Sequence, residues 1–236
     1  MKSTPADLDA LETIAVQIAT TSEVIRDGAT MTDYYWKEVA FRLAPKYAQA
    51  IVAAILREQA DRSSETWFAE YSTAKEVLWK CVELDAAAVW QAFTPHLSSM
   101  IEGFHFAVGF PLGVIDRMPV EDVCKWVEEN PEERASIVAR LVNKSLINDE
   151  TLTARILGQF GDQRVIASEF SSAYVSGSWH GPTSEHWGRL AAELERVAGS
   201  TKLPNLRRWA TDAAHRLRKM QESDAQREEE EEVRGR

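Results

Sequence analysis

The residues best suited to chemistry lie in Gly177-Ser178-Trp179-His180-Gly181-Pro182-Thr183-Ser184-Glu185-His186-Trp187-Gly188. This stretch holds three glycines, two tryptophans and two of the five histidines. Two imidazoles six positions apart would suit a metal pair or an acid/base couple. A metal needs further ligands, and HExxH is absent: Glu185 directly precedes His186, and no cysteine or carboxylate stands at ligand spacing. No metal site is expected. The run Gly177 to Gly181 is not GxSxG, and no strand is present to build a nucleophile elbow. A Ser/His/Asp grouping drawn from distant positions stays open, because geometry rather than spacing defines a triad. The plainer reading is a junction between helices, in which Gly177 and Gly181 turn the chain and Pro182 with Thr183 or Ser184 starts a helix. Trp179 and Trp187 would then cover the seam. Trp179, His180 and His186 are kept as candidate partner-contacting residues; no catalytic or cofactor-binding residue is assigned.

A second chemistry is phosphate binding. Arg207, Arg208, Arg216, Arg218 and Lys219 crowd one segment, and helical geometry brings Arg208, Arg216 and Lys219 near one face, with Trp209 and Leu217 toward the core. These three are candidate phosphate contacts; the plain reading is a solvated face partly neutralised by the acidic end. A third signal is Gly103-Phe104-His105-Phe106-Ala107-Val108-Gly109-Phe110-Pro111-Leu112-Gly113. Phe104, Phe106 and Phe110 suit a packed connector or, if exposed, a partner-binding loop. The spacing of its glycines fits no phosphate-cradling loop, and neither GxGxxG nor GxxxxGK[ST] occurs. The carboxylate pairs Glu121/Asp122 and Glu128/Glu129 sit at helix starts or ends, where dipole and solvation account for them.

Composition narrows the classes. A net charge of −10 argues against non-specific nucleic-acid binding, which depends on neutralising several phosphates. From Glu222 onward seven acids and three arginines contribute −4 of it. Cys81 and Cys124 are 43 positions apart in apolar helical patterns, so buried free thiols are expected. No apolar run approaches the roughly 18 residues of a membrane span, and Met1-Lys2-Ser3-Thr4-Pro5-Ala6-Asp7 lacks a signal core. A cytoplasmic protein without a membrane partner is expected.

The elements that would position these residues are helices. Residues 1–102 contain a single glycine, Gly28, and no hairpin-bounded alternation. Leu8, Leu11, Ile14 and Ile18 form one apolar face. Thr32 is placed to cap a second helix, Pro45 to open another, and Asp85 to cap a helix that ends before Pro95. Trp36 lies in an aromatic cluster with Tyr34 and Tyr35 and is read as partly exposed. In the second half, helix starts fall near 119, 131, 149, 162, 183 and 204, with Asn130-Pro131-Glu132-Glu133 the clearest. Asp149 and Asp162 are the expected caps of the third and fourth. First helices of successive pairs then begin 30 and 34 residues apart, and second helices 31 and 42. That is the period of stacked helical hairpins. The expectation is an all-α array of about 11–13 helices: one domain over 1–222, less regular over 1–102 and regular over 117–222. Residues 223–236 are read as an acidic tail, either a frayed helix end or disordered.

Trp126, Asn130-Pro131-Glu132, Gly177 to Pro182, Leu203-Pro204-Asn205-Leu206-Arg207-Arg208-Trp209-Ala210 and the Glu-rich end together resemble C-terminal regions of large bacterial helical-repeat proteins. Those regions are HEAT-like, and many belong to multidomain NTPase or nuclease proteins of anti-phage defence loci. The resemblance covers roughly residues 70–236 and implies a HEAT-like α-solenoid acting as scaffold or sensor, with no catalytic residue carried over. The NTPase or nuclease portion is missing, which implies a free-standing subunit or a piece of a larger protein. The function expected is non-enzymatic binding of a protein partner: an NTPase, a nuclease or a phage protein. The alternatives are a nucleic-acid binder using the last basic helix, and a small helical enzyme with a pocket near His180 and His186.

Overall fold

A computed structural model describes residues 5–21, 30–61, 73–97, 113–143, 147–176 and 179–234. Among them are ten α-helices and one 3₁₀ turn, and no strand. The all-α expectation holds. The helices are α1 (Pro5–Thr20), α2 (Thr30–Asp61), α3 (Thr73–Leu84), α4 (Ala86–Leu97), α5 (Val120–Glu129), α6 (Pro131–Leu141), α7 (Leu152–Phe160), α8 (Arg164–Val175), α9 (Thr183–Ser200) and α10 (Pro204–Arg234). The 3₁₀ turn is Ile115–Arg117. The chain divides into two compact units, 1–123 and 124–236. Phe104, Phe106 and Phe110 lie outside the described residues.

In the first unit α2 is the central helix, with α1, α3 and α4 packed on it. Ile51, Val52, Ile55 and Leu56 of α2, with Val77, Leu78, Val89 and Phe93, are fully buried. Each such aliphatic side chain contributes roughly 1.5–3 kcal/mol on leaving water. Two helical pieces meet near Pro45, as the sequence leads one to expect, and together they make up α2. The junction is a kink at Tyr47 (φ −129°, ψ 24°), two residues after Pro45. Thr32 falls inside α2 rather than at its cap. Asp85 does cap α4, accepting from the Ala88 amide at 2.9 Å. That helix runs past Pro95 to Leu97, correcting the expected stop. Phe93 and Leu97, one turn apart and both fully buried, hold the last turn onto the core. α2 over Tyr34–Glu58 is the one described helix long and apolar enough to cross a membrane by length and composition. Forty-four per cent of its most apolar window is buried in the unit.

α1 turns the described part of its apolar face outward. Its buried side is Ala19, beside half-buried Ala15 and Val16, while Leu11, Ile14 and Ile18 are 59%, 51% and 42% exposed. The small side chains let α1 approach α2 closely enough for Trp36 Nε1 to donate to the Ala19 carbonyl at 3.1 Å. Trp36 is therefore buried, not partly exposed, and its neighbours Tyr34 and Tyr35 carry the exposure.

In the second unit α9 and α10 form a long helical hairpin, α6 packs on α8, and α10 leans on α7. The helix starts expected near 131, 183 and 204 are found at Pro131, Thr183 and Pro204. Two expected caps are corrected. Thr151, not Asp149, caps α7, its hydroxyl accepting from the Ala154 amide. Asp149 instead reaches the α9–α10 connection, accepting from the Thr201 hydroxyl and from the Lys202 amide at 3.0 Å. Gln163, not Asp162, is the N-cap of α8, and it makes no side-chain cap bond.

Of the frayed helix end or disordered tail expected here, the structure shows helix: α10 continues to Arg234. Arg218 pairs with Glu195 through two parallel bonds of 2.8 and 2.7 Å, a fork geometry that fixes orientation. Farther along, Trp187 Nε1 donates to Asp224 at 2.9 Å, and Glu228 accepts from both the hydroxyl and the amide of Ser184. Two acids one turn apart thus fasten the helix end to the start of α9, which offsets the mutual repulsion of Glu228 to Glu232.

Candidate functional site

Three surfaces gather chemistry-bearing residues. The first is the start of α9. Trp179 stacks on His186 with ring centroids 4.3 Å apart and planes 5° apart, and Trp187 closes on both at a tilt. Trp187 is buried and Trp179 half-buried. Burial first, and the Arg189 cation second, lower the His186 pKa from its ordinary 6.5, so the ring is neutral at pH 7. Its Nε2 is shielded from water and has no hydrogen-bond partner among the described residues. His180 is exposed. Among the described residues no group of three or more His, Cys, Asp or Glu gathers as a metal site would require. His186 is thus engaged in aromatic packing.

The acid end of α10 completes this corner. Glu228 is held below the ordinary carboxylate range by the Ser184 hydroxyl and then by the Ser184 and Thr183 amides. It therefore sits as a carboxylate at the positive end of α9, capping a helix that begins 45 positions earlier, at Thr183. Sequence reasoning missed this pairing, because its signal is a carboxylate run opposite a Pro-Thr-Ser helix start, and nothing local links the two.

The second surface is the space between α8 and α10, whose backbones do not pack closely along their length. Trp209 spans the gap. Its Nε1 donates to the Ala167 carbonyl (3.1 Å) and to Ser171 Oγ (3.0 Å), and its ring meets Tyr174 edge-on at 6.2 Å. Ser171 also accepts from Arg216 Nη2 at 3.0 Å and donates to the Ala167 carbonyl at 2.7 Å. Around this prop lie two adjoining cavities. One, of about 330 Å³, is polar, and Arg164, Arg208 and Arg216 line it with Ser168, Asp162 and Asp212. The other, of about 230 Å³, is largely apolar, with Tyr174, Leu194, Leu217 and Met220 in its wall. Arg216 and Ser168 belong to both.

Of the three expected phosphate contacts, the structure brings Arg208 and Arg216 to one cavity; Lys219 is exposed and lines neither. Arg164 and Ser168 were missed, since they come from a different helix. Tyr174 is 7% exposed and its hydroxyl has no hydrogen-bond partner among the described residues. Burial first, and then the nearby Glu193 carboxylate, raise its pKa. A further hollow of about 370 Å³ faces Gln226, Glu229, Glu230 and Val233, which all come from the open end of α10 and bring no converging polar groups from a second described element.

The third surface is α1. Leu11, Ile14 and Ile18 recur at helical spacing, form one exposed apolar stripe, and have exposed Asp9 on the same helix. Glu12, toward the buried side, pairs with Lys46 at 2.7 Å. α1 has no lysine or arginine.

Comparison with protein-family models, with curated proteins and with solved structures finds no match to the chain. Function is therefore argued from these surfaces.

Proposed function

We propose that the chain is a non-enzymatic helical scaffold or sensor that binds a protein partner, with α1 as the docking helix. The observation that carries this reading is the exposure of Leu11, Ile14 and Ile18 on one face of α1. Large apolar side chains turned outward while alanines are turned inward leave an apolar stripe in water, and such stripes are commonly buried by a partner. Because α1 bears acids and no base, the surface that fits it is an apolar groove with a basic rim. The resemblance to defence-locus scaffolds supplies the partner classes: an NTPase, a nuclease or a phage protein. A cytoplasmic setting belongs to the same proposal.

Stacked hairpins are also part of it. The packing of α6 on α8, second helix on second helix, is the contact that stacking requires. α10 leans on α7 instead of α8, and this is what leaves the α8–α10 gap open.

The test is capture from the native host with the full chain and with a Leu11→Ser, Ile14→Ser, Ile18→Ser variant, alongside sedimentation of both. Expected is one stoichiometric protein retained by the wild type and lost by the variant at unchanged melting temperature. Retention by the variant overturns α1 as the docking helix. A wild type that is dimeric while the variant is monomeric overturns the partner reading in favour of a second copy.

A further inference from the structure

We propose that the two adjoining cavities around α8 and α10 form a binding site for a small amphiphilic anion: one phosphate or carboxylate group carried on a short apolar body. The site belongs to the second unit and is independent of α1.

The polar half supplies the anion contacts. Arg164 and Arg208 are exposed and make no ion pair or hydrogen bond with any described residue, so both guanidinium groups are available. Arg216 is held in place by Ser171, and an arginine fixed at a cavity wall gives up less freedom on binding. α8 begins at Arg164 with no side-chain cap, so its first-turn amides add the positive end of a helix at the same edge. Asp162 and Asp212 share the wall and also lack a described ion pair. They offset two of the three cations, which suits a ligand with one anionic group and disfavours a polyanion such as a nucleic-acid strand.

The apolar half sets the rest. Tyr174, Leu194, Leu217 and Met220 line it and accept an aryl or short alkyl body. The volumes, about 330 and 230 Å³, are those of a small-ligand site rather than a protein groove. Arg216, common to both, marks where anionic group and apolar body join.

The test follows the indole N–H resonance of Trp209, identified by its loss in Trp209→Phe, on titration of the full chain with phenyl phosphate, inorganic phosphate, benzyl alcohol and a single-stranded oligonucleotide. Phenyl phosphate is expected to shift the resonance saturably and to bind more tightly than any of the other three. Arg164→Gln and Arg208→Gln should each weaken it about tenfold, with melting temperatures unchanged because neither side chain has a partner to lose. Lys219→Gln should leave binding as it was. Absence of a saturable shift overturns the site, as does binding indifferent to both arginine substitutions. Equal affinity for inorganic phosphate removes the apolar half, and tighter binding of the oligonucleotide replaces the proposal with a nucleic-acid surface.

Discussion

Asp224 accepts a hydrogen bond from the Trp187 indole at 2.9 Å across 37 positions of sequence. Together with Glu228 on Ser184 it turns an acid-rich chain end, which composition alone marks for disorder, into the second strut of a helical hairpin. The Trp187 ring is buried, so its N–H has little access to water once the carboxylate is removed. Asp224→Ala and Trp187→Phe measured singly and together by urea denaturation should give a coupling of about 1 kcal/mol. A coupling of zero would show that the bond is not kept in solution.

The Glu228 cap carries a pH signature. Its folded pKa lies below the ordinary carboxylate value of 4.5, so its contribution is complete above that value and disappears as the pH falls through the lowered folded pKa. Glu228→Gln should lower the melting temperature at pH 7. The gap between variant and wild type should close in acid. Circular dichroism at both pH values reads this directly, and a gap that widens in acid contradicts the cap.

His186 titrates in the opposite sense of charge but with the same direction of stability. Its folded pKa is below 6.5, mainly through burial, so the unfolded chain takes up the proton first as pH falls. Stability from the neutral ring is complete above about pH 6.5 and declines as pH drops toward the folded pKa. His186→Gln should flatten the melting-temperature profile between pH 7 and pH 5. His96 is also lowered, by burial and then Arg57, and His96→Gln serves as the comparison.

Trp209 holds α8 and α10 apart and together. Trp209→Phe keeps most of the ring and loses both bonds, for an expected cost of about 1–2 kcal/mol. Trp209→Ala also leaves a cavity and should cost about 3–5 kcal/mol. Ser171→Ala should cost about 1 kcal/mol and free Arg216 as well. Urea midpoints that shift without a change in slope would confirm a stability effect.

The orientation of α1 separates two readings by stability alone. As exposed residues, Ile14→Ser and Ile18→Ser should each change stability by no more than about 0.5 kcal/mol. As core residues they would each cost several times that. Ala19→Leu, which crowds the close contact with α2, should cost about 1–3 kcal/mol. A large loss for the isoleucines with none for Ala19 would reverse the assignment.

Sequence alone determined the all-helical class, the turn-rich break before α9, and the starts at Pro131, Thr183 and Pro204. These rest on local physics: a proline fits a first helical turn and breaks a later one, and apolar spacing of 3.6 allows no strand. It also determined that Arg208 and Arg216 share a helix face. Only the tertiary structure decided which face of α1 is buried, because Leu11, Ile14 and Ile18 and the Ala15–Ala19 side both satisfy helical periodicity and the choice was made by Trp36 reaching the Ala19 carbonyl. Tertiary structure also took Asp149 from the cap of its own helix to a turn more than fifty residues away, and gave Glu228 a helix to cap. It placed Arg164, from α8, beside two arginines of α10. Bonds between positions far apart in the chain depend on which helices are left a side chain's width apart, and no local pattern encodes that distance.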